Sequence, residues 1–337
     1  MQRLICELRA AMSSNGGGQM GNLRMRWWFL ILVVLAVAPG LEGQTLLSQA
    51  LSSFPQDTIR IEYSHPSILR ALPDYSALRQ RYEGPKLQEL ETSFAQLGIQ
   101  ESDVDELMLG WRVKDQTWSF FGLTAGRFDG QALAARATSQ RLTAYKLGDL
   151  TAYCAGNSGS ANCVVVLSDS LGAFGTLDSL RAIMEARAGQ LPALGSERKF
   201  TQLLNQAEAR DPIWGVAVGP AVPDWYQGWM PNQSDLKVDW VQAFKPVESL
   251  IYGINPGETV HLDIAMDCAT ASDAQNLKTA FDGLRLYQQL SWQNQNPGRP
   301  NPFKNLEITG QDNQILVKLE TAYGDLMNPG APGRSQN

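Results

Sequence analysis

Histidine is nearly absent from this chain: two residues, His65 and His261, in 337. A zinc site draws three or four ligands from His, Cys and carboxylate side chains. His261 alternates with Asp263 along one strand-like run, which supplies two ligands at most, so a solvated strand face is the expectation there. Beyond residue 43 the chain also lacks G-x-S-x-G, P-loop, G-x-G-x-x-G, C-x-x-C and H-E-x-x-H patterns. No cofactor and no metal are expected. Long apolar runs are missing as well. The longest, Trp27 to Ala38, has twelve residues, whereas a spanning helix needs roughly 17–25. No basic stripe is present, and the formal net charge is −6. Removal of residues 1–43, which hold four basic and two acidic residues, takes the charge to about −8. That balance argues against nucleic acid and anionic membrane surfaces as partners.

What is present at the N-terminus reads as a secretory signal. Arg24 and Arg26 precede the apolar run, and the small residues of AVAPGLEGQ follow it. Cleavage is expected after Gly43, because Pro39 directly follows Ala38. The signal is complete from Met20 or Met25, so the residues before Met20 read as an overlong start. The expected location is periplasmic or extracellular. The alternative is an inner-membrane anchor formed by residues 27–38, the one route by which this chain would touch a membrane. Of four cysteines, Cys6 leaves with this segment. Cys154 and Cys163 flank the turn-forming octapeptide AGNSGSAN between two strand-like runs, which predicts a disulfide across a hairpin in an oxidising compartment. Cys268 is left as a buried thiol.

The mature chain, about 294 residues, is organised around a duplicated unit. DVDELMLGWRVKDQTWSFFGLTAGRFD, from Asp103 to Asp129, reads as strand, turn and strand, with Asp129 as helix N-cap before GQALAARATSQ. About 143 residues later, Pro246 to Gln275 repeats the order, with Thr270 or Ser272 as N-cap of AQNLKTAFDGLRLYQQL. Leu277, Phe281, Leu284 and Tyr287 form that helix's apolar stripe. TIRIEY (Thr58–Tyr63) opens the first half as a strand, and IWGVAVGP (Ile213–Pro220) is its counterpart. Each half then reads β-α-β-β-α-β-β. The expected fold is α+β: two ferredoxin-like halves, antiparallel sheets with helices packed on one face. Expected divisions are 1–43 (presequence), 44–190, 191–327 and a disordered tail 328–337.

Two segments carry a resemblance. Gly126-Arg127-Phe128-Asp129 closes a strand before an alanine-rich helix, and Phe174-Gly175-Thr176 precedes LDSLRAIMEARAG. Over roughly residues 100–290 the chain resembles uncharacterised exported proteins of environmental bacteria such as acidobacteria. The resemblance implies a periplasmic or envelope location and brings no catalytic residue with it.

Three further patterns were weighed for chemistry. Ser196-x-x-Lys199 matches a serine acyl-enzyme motif, but its companion motifs fail, so Ser196 is expected to be a helix N-cap. Asp103, Asp105 and Glu106 lack the Gly and distal Glu of a calcium loop. Asn232-Gln233-Ser234 is a formal glycosylation sequon. The surface candidate is Trp225-Tyr226-x-x-Trp229 with Trp240 beyond, in a Pro-rich connection. Such aromatics form a platform for a sugar, peptide or partner protein, or they plug the gap left by a degenerate helix and weld the halves together. The functional expectation is a non-catalytic exported protein that binds an envelope protein or a small ligand. An envelope hydrolase with an atypical site and a purely structural scaffold are the alternatives.

Overall fold

The computed structural model describes residues 45–327 except 74, 77–78, 80–84, 115, 156–160, 208–210 and 230–238, with backbone only at 85–87, 226–229 and 295. The expected signal, tail and sequon, and part of the helix expected over Tyr75–Tyr82, lie outside the described residues. In chain order, α1 (Leu46–Ser53) leads into β1 (Thr58–Ser64), followed by α2 (Pro66–Leu69) and α3 (Pro85–Gln96). The hairpin β2 (Val104–Lys114) and β3 (Thr117–Gly126) comes next, then α4 (Gly130–Ser139). Four strands follow: β4 (Thr143–Leu147), β5 (Leu150–Ala155), β6 (Asn162–Ser168) and β7 (Leu171–Gly175). Helices α5 (Leu177–Arg187) and α6 (Arg198–Ala207) lead to β8 (Ile213–Val218). Helices α7 (Ala221–Trp229) and α8 (Trp240–Phe244) precede the second hairpin, β9 (Val247–Pro256) and β10 (Thr259–Cys268). The long helix α9 (Ala271–Gln295), β11 (Glu307–Gln311), β12 (Gln314–Ala322) and α10 (Tyr323–Met327) complete the described chain.

Local signals account for these elements. The Asp129 carboxylate accepts from the Gln131 and Ala132 amides and starts α4. The Thr270 hydroxyl accepts from the Asp273 amide and starts α9; both satisfy backbone donors that a helix end leaves free. Ser196 is not a cap. It closes a 3-10 turn, Leu194–Ser196, and its hydroxyl donates to the Ala193 carbonyl at 2.6 Å. Cys154 and Cys163 are direct cross-strand partners on β5 and β6 and form the expected disulfide, with Cα atoms 3.9 Å apart.

The fold is α+β, and the strands form one open sheet of twelve among the described residues, in the order β11-β12-β10-β9-β8-β1-β2-β3-β7-β6-β5-β4. Every neighbouring pair is antiparallel. This corrects the ferredoxin-like expectation. A split β-α-β half separates its first two strands by a third, whereas β2 here pairs directly with β1, Ile61 opposite Gly110 and Tyr63 opposite Met108. The other edge of β1 is taken by β8, Ile61 opposite Val216.

The expectation of helices on one face is also corrected. Ile61, Met108, Phe121, Leu123, Val165, Trp214 and Val216 bury one face under α1, α5 and α6. Their neighbours in sequence bury the other: Leu107, Val164 and Phe174 under α3 and α4, and Ala217, Leu250 and Met266 under α7, α8 and α9. Strands covered on both sides carry apolar residues at both parities, which is why Val164-Val165-Val166 is continuous rather than alternating. The exception is the first face of β10 and β12: α6 reaches only as far as Ile251 of β9, and beyond it His261, Asp263, Lys318 and Glu320 are exposed. No described helix is long and apolar enough to cross a membrane.

Candidate functional site

The aromatic connection comes first. Trp225 is 5% exposed and packs on Tyr252 of β9 with ring centroids 5.2 Å apart. Trp240 is half-buried against Phe244 (6.4 Å) and Phe281 of α9 (5.8 Å). The side chains of Tyr226 and Trp229 lie outside the described residues. Beside Trp225 sits a buried charge hub. Arg60 of β1 donates through Nε and Nη2 to Glu62 Oε1 at 3.1 and 2.7 Å, and through Nη1 to Asp224 Oδ2 of α7 at 3.0 Å. Its guanidinium lies 4.2 Å from the Trp111 ring centroid. The Tyr252 hydroxyl bonds Glu62, and burial first and then that carboxylate push its pKa well above the ordinary phenol value. Tyr252 reaches Glu62 across β8 because Gly215 stands between them; a Cβ there would strike the Tyr252 ring. With each charge partnered, and with Arg60 and Glu62 largely shielded from water, the hub is suited to fixing α7 on the sheet.

The other residues singled out from sequence are dispersed. Asp105 reaches Arg70 at 3.7 Å, Glu106 accepts from the Tyr63 hydroxyl at 2.8 Å, and Asp103 accepts from the Gln100 amide at 2.8 Å. The Lys199 ammonium points to Glu248 at 3.7 Å, so the Ser196 hydroxyl, bonded to Ala193, gains no base from it. His65 Nδ1 lies 2.9 Å from the Ser67 hydroxyl. Cys268 is buried, and desolvation first, then Asp273 and Asp267, push its thiol up to about 11, far from a reactive thiolate.

Chemistry converges on the uncovered face instead. Register stacks three rows across the outer strands. Ile251, Ala265 and Leu316 form an apolar row, Gly253, Asp263 and Lys318 a charged row, and Asn255, His261 and Glu320 a polar row. Asp211, in the connection between α6 and β8, lays its carboxylate directly on Gly253, where a Cβ would collide with Oδ2. A cleft of about 170 Å³ opens there, lined by Asp211, Asp263, Lys318, Ile251, Ala265 and Leu316 among others, with Gln206 and Ala207 of α6 as its wall. Burial raises the pKa of Asp211 above the ordinary carboxylate value, and the Asp263 charge adds to the rise; His261 and a hydrogen bond from Asn255 oppose it. Asp263 and Lys318 face each other at 3.6 Å, both more than half exposed. The arrangement offers negative charge, one cation and an apolar floor within a single small cleft. Sequence reasoning paired His261 with Asp263 but missed Asp211. Its signal is Gly253, an isolated glycine in a strand, which marks close approach of another group.

No family model matches this chain and no curated protein does. Among solved structures it is similar to TP0453. Crystal form III gives a TM-score of 0.46 at 9% identity over 83% of this chain and 96% of that one. Crystal form I gives 0.44 at 10% identity over 83% and 94%. At these scores the likeness is distant and carries no argument about activity.

Proposed function

We propose that this chain is a non-catalytic exported protein of the cell envelope that binds a small ligand in the cleft beside Asp211. The observation that carries the proposal is the placement of Asp211. A carboxylate raised in pKa by burial and by Asp263 is held against a strand glycine, next to partly exposed apolar residues at the edge of α6. Such a group costs stability rather than adding to it, and arrangements of that kind gather at functional sites. The signal-like residues 24–43 and the Cys154–Cys163 disulfide support export.

Residues 44–190 and 191–327 are then duplicated halves, preceded by a presequence and followed by a tail. Strand order supports this reading. Outward from the β1·β8 pair, β2 and β3 on one side match β9 and β10 on the other. Each series continues with a hairpin whose second strand lies inward, β6–β7 and β11–β12, and β4–β5 are additional in the first half. Trp225 and Trp240 pack within the second half, on Tyr252, Phe244 and Phe281, and the Arg60–Asp224 bridge ties that packing to the first half.

Native mass spectrometry of the protein purified from its own envelope fraction tests the binding role. Wild type is expected to carry a small-molecule adduct. Leu316→Trp, which fills the cleft, is expected to lose it while keeping the same circular dichroism. An adduct retained by Leu316→Trp, or wild type free of any adduct, refutes the proposal.

A further inference from the structure

The chemistry of the cleft narrows its ligand, and this inference rests on the cleft being a binding site. We infer that the ligand is a small zwitterion with an apolar side arm, of the size of one branched amino acid. The inference uses all three kinds of lining group. Asp211 and Asp263 flank the charged row from two elements and together present more negative charge than the one local cation balances. An ammonium group between them relieves the repulsion by Asp263 that adds to the effect of burial on Asp211. Lys318 is the cation of the row. Its pair with Asp263 is 3.6 Å long and exposed, so it is weak, and its ammonium is free to turn to a ligand carboxylate once a ligand ammonium has occupied Asp263.

The third group is the apolar row, Ile251, Ala265 and Leu316. It lies two residues along the strands from the charged row, roughly 6.6 Å. That offset suits a ligand whose two charges share one end and whose carbon branch extends from it. A purely cationic ligand leaves Lys318 without a partner, and a purely anionic one meets two carboxylates. A metal ion fits less well, because the described residues hold no group of three or more His, Cys, Asp or Glu side chains arranged to take one.

The test is titration of the purified full-length protein, labelled at Ile and Leu methyls and at histidine, with three probes that share one carbon branch: L-leucine, isoamylamine and 4-methylpentanoate. Shifts of Leu316, Ile251 and His261 report occupancy. Leucine is expected to bind at least about tenfold tighter than either partial probe, the loss typical of one charged hydrogen-bonded contact. Lys318→Met is expected to bring leucine down to the level of isoamylamine. Asp211→Asn is expected to remove the preference over 4-methylpentanoate. Leucine affinity is expected to fall as pH drops through the raised pKa of Asp211.

Isoamylamine binding as tightly as leucine overturns the zwitterion and leaves the cleft as a binding site for cations. Calcium moving the same resonances in place of leucine overturns it likewise. If none of the probes moves them, the binding role of the cleft fails with it. Leucine shifts unchanged in both Lys318→Met and Asp211→Asn overturn the residue assignment.

Discussion

Replacing Arg60 by methionine is the sharpest test of how the sheet is held together at its centre. The side chain of Arg60 is 9% exposed and that of Glu62 17%. Methionine keeps the unbranched stem and part of the cover over Trp111 but removes three charged hydrogen bonds. Asp224, 43% exposed, regains water on losing its partner, so its share is at most about 1 kcal/mol. Glu62 does not. It keeps the Tyr252 hydroxyl and becomes a buried carboxylate without its cation, which costs roughly 3–5 kcal/mol. Loss of the cation–π contact adds about 0.5–2 kcal/mol, part of which the thioether replaces. The expected total is about 4 kcal/mol. Adding Glu62→Gln to Arg60→Met removes the stranded charge and is expected to restore about 2 kcal/mol, a coupling typical of residues in one network. Urea denaturation followed by tryptophan fluorescence and far-UV circular dichroism measures all four corners, provided the two signals coincide. A loss under about 1 kcal/mol in Arg60→Met, or a double variant no more stable than the single, refutes the view that this pair is buried and coupled.

Two more perturbations follow from the site and the hairpin. The Asp211 pKa is raised above its unfolded value of 3.8, so its favourable contribution is complete below that value and is lost as pH rises through the folded pKa. Asp211→Asn is therefore expected to melt at or above wild type at pH 7, with the difference closing near pH 3.5; a lower melting temperature at pH 7 refutes the assigned strain. Replacing Cys154 and Cys163 by serine opens a cross-link spanning nine residues and is expected to cost roughly 2–3 kcal/mol on chain-entropy grounds; a loss under about 1 kcal/mol, read from urea midpoints, shows that the hairpin is held by its strands alone.

Short-range structure was legible in the sequence because its determinants are short-range. Asp129 and Thr270 announce their helices through side-chain oxygens placed two or three residues ahead of backbone donors. The two cysteines around a turn-forming octapeptide announce a hairpin. Strand order is different in kind. Nothing in TIRIEY tells which strands will flank it, and the choice of β2 and β8 is made by packing on both faces at once. Coverage of both faces had a signal, the unbroken Val164–Val166 run, which periodicity alone does not distinguish from a short buried helix. The cleft was illegible because it depends on register. Asp211 stands 42 residues before Gly253, and only the pairing of β8 with β9 and of β9 with β10 sets its carboxylate beside Asp263.

Register also explains why the cleft is where it is. After the last strand of the first half, α5 folds back over the face that carries Met108, Phe121 and Val165, and α6 continues over Trp214 and Val216 to the margin of β9. On the second half, β12 is followed by α10, five residues long, and the cover that α6 gives Ile251 of β9 does not extend to the exposed His261, Asp263, Lys318 and Glu320 of β10 and β12. The sequence of these strands matches that lack: positions facing the gap are His261, Asp263, Lys318 and Glu320, while the alternate positions, such as Met266, Ile315 and Val317, are buried. Ala265 and Leu316 are the exceptions, partly buried apolar residues on a face that is otherwise polar, and Ile251 beside them packs against the core under α6. Packing among themselves does not require them there, since a face open to water is as well served by polar side chains. Their place beside an ionisable pair, at the margin where the wall of α6 ends, is what the proposed ligand-binding role rests on.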